Sequence, residues 1–289
     1  MTSRLSNLLI HPSTRSLFKS FLAKPSGGLL IYGPIGAGKR TIGLAIAADL
    51  LEFKVDKSLS DYPYFTDLQP PPGKQEIPID AIRQLIHDSK LFSVSSKSID
   101  RVVLVEDAQR LSEEAQNALL KILEEPPADM VFILTLPSIN SVLPTIISRL
   151  QTIEIKPVSR QMAEKHFQIA DNAYLISQGY PGLLASLVQK DTNHPLRLGI
   201  ESAKAVLSGD TYTALALIES YDDIEFANFI EGTDKILAAL HKAAIKQNKT
   251  AQARTLLAKR KFIDLLKANS NVSANKRLLA LDLVLKLTT

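Results

Sequence analysis

The chain has 289 residues, 45% of them hydrophobic, no cysteine and a net charge of +4. That length suits two or three domains with sizeable cores, and the missing cysteine excludes disulfides, thiolate zinc sites and cysteine nucleophiles. No apolar run reaches the roughly eighteen residues of a membrane span, and the N-terminal stretch lacks a signal peptide's apolar core and cleavage site, so no membrane association and a cytoplasmic location are expected.

Residues 5–22 carry apolar positions at helical spacing and predict one or two short helices. After Gly27-Gly28, the run Leu29-Leu30-Ile31-Tyr32 reads as a buried parallel strand that leads into Gly33-Pro34-Ile35-Gly36-Ala37-Gly38-Lys39. Arg40 to Leu51, rich in Ala, Ile and Leu, predicts a helix. Residues 52–78 are less regular, with Pro70-Pro71-Pro72-Gly73 marking a loop. Ile79 to Leu91 reads as an amphipathic helix, Val102 to Val105 as a second strand, and Glu113 to Glu124 as a helix that Ser112 caps and Pro126-Pro127 ends. Val131 to Leu134 predicts a third strand, Pro144 opens a short helix carrying Ser148 and Arg149, and Thr152 to Ile155 predicts a fourth strand.

After Pro157 strand patterns cease. Residues 159–190 read as short helices broken at Gly179 and at Pro181-Gly182, and Pro195 to Leu287 is helical in pattern throughout. Alternating strands and helices imply a mostly parallel sheet with both faces covered. The expected organisation is an α/β domain over residues 1–157, a small helical lid over 158–194 and a helical C-terminal domain over 195–289.

Gly33 to Lys39 fits the spacing G-x-x-x-x-G-K between a predicted strand and a predicted helix. Gly33, Gly36 and Gly38 let backbone N–H groups turn inward around phosphate oxygens, the helix N-terminus adds a favourable dipole, and Lys39 reaches the outer phosphates. Such a loop can take ATP. The next position ordinarily supplies a Ser or Thr hydroxyl for Mg²⁺, but here it is Arg40, which can contact phosphate and cannot ligate a cation. Thr41 comes one place late, about 100° round the helix. This argues against Mg²⁺-assisted hydrolysis. The predicted strand ending at Val105 runs into Glu106 and Asp107, where phosphate-loop ATPases place the acids that support Mg²⁺ and orient water. Their usual order, Asp then Glu, is reversed, and a shift of about 1 Å in such a group can cost on the order of 10²-fold in rate.

The stretch from Val102 to Pro127, VVLVEDAQRLSEEAQNALLKILEEPP, resembles the signature of clamp-loader ATPases of the AAA+ class. Leu143 to Gln151, LPTIISRLQ, resembles their Ser-Arg-Cys motif with Leu150 in place of Cys, and Ile77 to Leu85 is also similar. The resemblance covers roughly residues 5–190 and is weaker beyond, although Asn275 to Leu285 is similar to the family's closing helix. Within the bacterial DNA polymerase III clamp-loader family, the Glu-Asp-Ala order and Gly179-Tyr-Pro-Gly-Leu-Leu-Ala-Ser-Leu187 look like the delta-prime group rather than the gamma/tau motors.

The resemblance implies an AAA+ RecA-like domain, a lid and an oligomerising collar. It implies that Arg149 projects as an arginine finger into a neighbour's ATP site, with Gly182 standing where motor subunits carry a lid arginine. The implied partners are delta and gamma/tau subunits in a hetero-pentameric ring, the sliding clamp, and primed DNA through the complex. The family's four-cysteine zinc module is absent, residues 52–64 appearing in its place, and no zinc is expected. Thr135 or Ser138 stands near the family's sensor position after the third strand.

Three functions follow for comparison: a non-hydrolysing stator that donates Arg149, a gamma/tau-type ATP-hydrolysing motor, or an independent AAA+ DNA motor. The three changes in the hydrolytic apparatus favour the first. Residues 234–289 hold twelve Lys and Arg against three Asp and Glu, leaving the rest of the chain at −5. That basic segment suits nucleic acid, an acidic partner subunit or a set of solvated helix faces. The five histidines, His11, His87, His166, His194 and His241, lack ligand spacing.

Overall fold

The computed structural model describes residues 3–53, 59–71, 74–89, 99–189, 191, 194–209, 212, 221–269 and 276–288. They form two units, Met1–Pro157 and Val158–Thr289.

The first unit is built on five parallel strands: β1 (Gly28–Tyr32), β2 (Phe65–Leu68), β3 (Arg101–Val105), β4 (Met130–Leu136) and β5 (Gln151–Glu154). Their order across the sheet is β2-β3-β4-β1-β5. All seven residues of β4 are buried, as suits a run apolar at every position but Thr135 in the centre of a parallel sheet. The helices α1 (Pro12–Ala23), α2 (Lys39–Leu50), α3 (Ile79–Ser89), α4 (Glu113–Glu124) and α5 (Pro144–Ile147) connect and cover the strands. One core joins Val103, Val105, Phe132, Leu134 and Leu136 of the sheet to Ile82 and Leu85 of α3 and to Ala115, Leu119 and Ile122 of α4.

The sheet differs from expectation at one edge. Nothing in the sequence of β2 predicts a strand, because its four residues, Phe-Thr-Asp-Leu, show neither an apolar run nor a strict alternation. It becomes a strand by pairing with β3, Phe65 opposite Val102 and Leu68 opposite Val105. The short helix α5 ends at Ile147, so Ser148 and Arg149 follow it rather than ride on it. Ser112 caps α4 as anticipated, its hydroxyl accepting from the Ala115 N–H at 3.1 Å. Parts of several expected features lie outside the described residues: Pro72 and Gly73 of the loop, Lys90 and Leu91 of the helix expected from Ile79, residues 54–58 of the stretch in place of the zinc module, and Asn275.

The second unit is helical: α6 (Arg160–His166), α7 (Asp171–Ser177), α8 (Pro181–Gln189), α9 (Pro195–Leu207), α10 (Asp223–Lys246), α11 (Thr250–Asn269) and α12 (Lys276–Thr288). Pro181-Gly182 does not break a helix but opens α8, in accord with the tolerance of proline in a first helical turn. Gly179, at φ +81°, makes the break ahead of it. The capping box Asp222/Glu225 starts α10.

Helices α9 and α10 touch through glycine. A Cβ on Gly199 would lie 2.3 Å from the Asn228 carbonyl oxygen, and one on Gly232 would lie 2.6 Å from the Gly199 carbonyl carbon. Both obstacles are backbone, so neither can swing away. Gly199→Ala or Gly232→Ala is expected to destabilise the second unit by about 1–3 kcal/mol, the range for overpacked cores. A lowered urea midpoint without a change in slope checks this.

The candidate phosphate-loop site

β1 delivers the chain to Gly33, whose N–H donates to the Leu136 carbonyl at the end of β4 at 3.1 Å. The loop then turns through Gly36 at φ +89° and Gly38 at φ +87°. Both lie in the left-handed region that glycine enters without steric cost. Gly38 is also the N-cap of α2 and offers no side-chain acceptor to the helix's first N–H groups. The predicted strand–loop–helix geometry is thus present, with the loop at the carboxyl ends of parallel strands where such sheets bind ligands.

Lys39 does not point away from the loop. Its ammonium donates to the Gly33 and Pro34 carbonyls at 2.9 and 3.3 Å. Burial lowers its pKa from the ordinary lysine value, with the charges of Asp107 and Glu106 acting in the opposite direction. Thr41 lies two positions further along α2.

Arg40 reaches across to the ends of β3 and β2. Its Nη1 donates to Glu106 Oε2 at 2.5 Å, and its Nη2 to Asp67 Oδ2 at 2.6 Å. Nη1 also lies 3.3 Å from Asp67 Oδ1, so the guanidinium grips Asp67 through two nitrogens. Burial works against the Arg40 charge, but the hydrogen bonds and charges of Asp67 and Glu106 outweigh it and raise its pKa. Gln69 steadies Asp67 through a 3.0 Å hydrogen bond.

Glu106 is in a harder position. Burial is the largest influence on it and raises its pKa, Arg40 lowers it, and the Asp107 and Asp67 charges raise it again. The net direction is upward despite the ion pair. Asp107 adopts a left-handed conformation at φ +50°, and its N–H donates to the buried Thr135 hydroxyl at 2.9 Å. Of the two residues left open near the sensor position, Thr135 is therefore the one bonded to the acidic turn.

The site holds three carboxylates and two cations, and Asp67 is the member that sequence reasoning missed. Its signal was faint: an acid in a short segment whose strand character depends on its neighbour.

Arg149 lies apart from this cluster. Its Nη1 donates to the Thr145 carbonyl at 2.8 Å, and its Nη2 pairs with Glu124 Oε1 at 2.5 Å at the end of α4. Gln116 on α4 accepts from the Leu143 N–H at 3.1 Å and so ties that helix to the start of α5. The acidic Glu124-Glu125-Pro126-Pro127 end and the Arg149 turn are therefore one local structure, though they are distant in sequence.

This sheet order, with a glycine loop after β1, acids after β3 and a helical region following, is the arrangement of the AAA+ fold. Residues 22–159 match the family described as DNA polymerase III, delta subunit. The chain is 34% identical over 167 residues to DNA polymerase III subunit delta' of Escherichia coli K12, covering 54% of this chain and 49% of that protein. It is 33% identical over 157 residues to subunit delta' of Pseudomonas aeruginosa, covering 48% and 47%. The chain thus spans about half the length of the curated relatives it matches.

Among solved structures, a DNA polymerase III gamma subunit-related protein from Thermotoga maritima superposes with a TM-score of 0.55 at 18% identity, covering 95% of this chain and 98% of that one. That likeness concerns the fold alone. Over the matched segment, the chain is similar to that family and to those delta-prime subunits.

Because Glu106 binds its proton more readily in the folded chain than when unfolded, its contribution to stability is present at low pH. It is lost as pH rises above the ordinary carboxylate range through the raised value. Replacing Arg40 by Thr removes the charge and the hydrogen bond of Arg40, which both hold the value down. The Glu106 carboxyl should then titrate at still higher pH, as followed by carbon NMR of the side chain.

Proposed function

We propose that this chain is a delta-prime-like stator of the DNA polymerase III clamp loader. It sits in a hetero-pentameric ring with delta and gamma/tau subunits, donates Arg149 to the ATP site of a neighbour, and contributes to loading the sliding clamp onto primed DNA. It does not hydrolyse ATP itself. The observation that carries this reading is the engagement of Arg40 with Glu106. The residue standing in place of the metal-binding hydroxyl is bound to the acid that would serve the metal and the attacking water.

The parts needed for hydrolysis are turned inward. Lys39 is held by carbonyls of its own loop, Arg40 by Asp67 and Glu106, and the acids come in reversed order. Gly182, the second residue of α8, stands where the resemblance puts the lid arginine of the family's motors.

Arg149 is placed differently. Its partner Glu124 is about half exposed, and exposed ion pairs are worth roughly 0–1 kcal/mol. Exchanging Glu124 for a neighbour's phosphate therefore costs little, while a guanidinium spans phosphate oxygens in a fork and cannot lose its charge. Gln116 and the packing of α4 on α5 fix the turn from which it extends.

Two measurements bear on this. The purified chain with Mg²⁺ and primed DNA should turn ATP over far below about 1 s⁻¹, the low end of ordinary enzyme rates; turnover at that rate would instead indicate a gamma/tau-type motor. In a reconstituted complex, Arg149→Ala should slow the one adjoining ATP site by about 10³-fold or more, the scale of arginine fingers in GTPases. The loss is read as a missing fraction of the single-turnover amplitude. The melting temperature of the variant chain should stay within about 2 °C, because only a surface ion pair is removed. An undiminished amplitude removes Arg149 from this role.

A further inference from the structure

A phosphate loop of this kind implies Mg²⁺, so the residues present can be tested against the ion. A hard divalent cation needs oxygen ligands in octahedral array, usually a hydroxyl at the position after the loop lysine and a strand-end carboxylate, directly or through water. Here the first is a guanidinium, which has five donors and no lone pair to give. The second, Glu106, accepts from that guanidinium at 2.5 Å. Asp67, on the neighbouring strand, is taken at 2.6 Å. Among the described residues no group of three or more His, Asp and Glu has a metal-holding arrangement. The donor set does not fit.

We propose that the Arg40 guanidinium, gripped by Asp67 and Glu106, stands in permanently for the divalent cation of this phosphate loop. Mg²⁺ therefore neither binds at the site nor strengthens the binding of a nucleoside triphosphate there. The charge count supports the substitution. Asp67, Glu106 and Asp107 against Lys39 alone would leave an excess of two negative charges beside a loop shaped for phosphate. Arg40 brings that excess to one, where a metal ion would otherwise be needed.

The geometry also gives Asp67 a reason to be where it is. A strand-end acid on β2 has no place among the acids of the hydrolytic apparatus, which follow β3. It is what lets a fork-shaped cation be held from two sides, Glu106 on Nη1 and Asp67 mainly on Nη2. Lysine could not reproduce this, because its ammonium is a point charge without the rigid fork.

The inference rests on residues 33–39 forming a phosphate loop and not on ring assembly. Failure of the Arg149→Ala experiment would leave it standing, and its own failure would leave the arginine finger standing.

The test compares the full chain with Arg40→Thr, and with Arg40→Thr combined with Asp67→Asn. The double variant removes one charge of each sign and so guards against simple electrostatic unfolding. Melting temperature and calorimetric binding are measured with ATP plus EDTA and with ATP plus Mg²⁺. The native chain should show the same ATP affinity and melting temperature in both conditions, including the case in which it takes up no ATP in either. The variants, with a hydroxyl restored and Glu106 freed, should bind ATP about tenfold or more tightly with Mg²⁺, the scale on which groups around a metal tune its affinity. Binding by the native chain that tightens about tenfold on adding Mg²⁺ overturns the proposal. So does a folded variant that gains no Mg²⁺ response.

Discussion

The contact between Arg40 and the acids at the ends of β2 and β3 organises the centre of the first unit. Parallel strands bring all their carboxyl ends to one edge, and the chain uses that edge for the glycine loop, Lys39, Asp67, Glu106 and Asp107. Carboxylates so crowded repel one another and lose hydration, and the upward shift of Glu106 records both effects. A cation has to stand among them. In a hydrolytic site that cation is exchangeable; here the cation beside the acids is covalently part of α2. A site of this construction can keep the shape of an ATPase while lacking the ligand sphere of one.

Around that cluster the sheet does the positioning. β4 lies between β1 and β3, so Thr135 near its end meets the Asp107 turn from one side while the Leu136 carbonyl receives Gly33 from the other. The same strand order leaves α4 and α5 adjacent, and Gln116 joins them. Arg149 thus extends from a braced turn while its guanidinium is held by a weak, exposed partner. A braced base suits the proposed transfer of this side chain to a neighbouring molecule.

In the second unit, part of the basic excess of residues 234–289 is used internally. Lys267 pairs with Glu231 at 2.6 Å and with Asp234 at 3.4 Å, Arg260 pairs with Asp234 at 3.0 Å, and Lys286 lies 4.1 Å over the Phe262 ring. These contacts join α10 to α11 and α11 to α12. A charge tally along the chain therefore overstates the positive charge available to a partner, because Glu231 lies just outside the segment counted.

The sequence by itself determined the α/β class, the phosphate loop and its two altered neighbours, the cap at Ser112 and, among the described residues after Pro157, the presence of helices without strands. These are properties of local pattern: apolar runs make buried parallel strands, glycines permit left-handed turns, and residue 40 follows residue 39 in any fold. It did not show β2, because a four-residue edge strand exists only through its pairing with β3. For the same reason it did not show Asp67 as Arg40's second partner, or Glu124 as the partner of Arg149. Those pairs span 27 and 25 residues and are made by strand order and helix packing, which no local spacing encodes. The tertiary structure alone decided that the arginine in the place of a metal-binding hydroxyl would meet acids from two different strand ends.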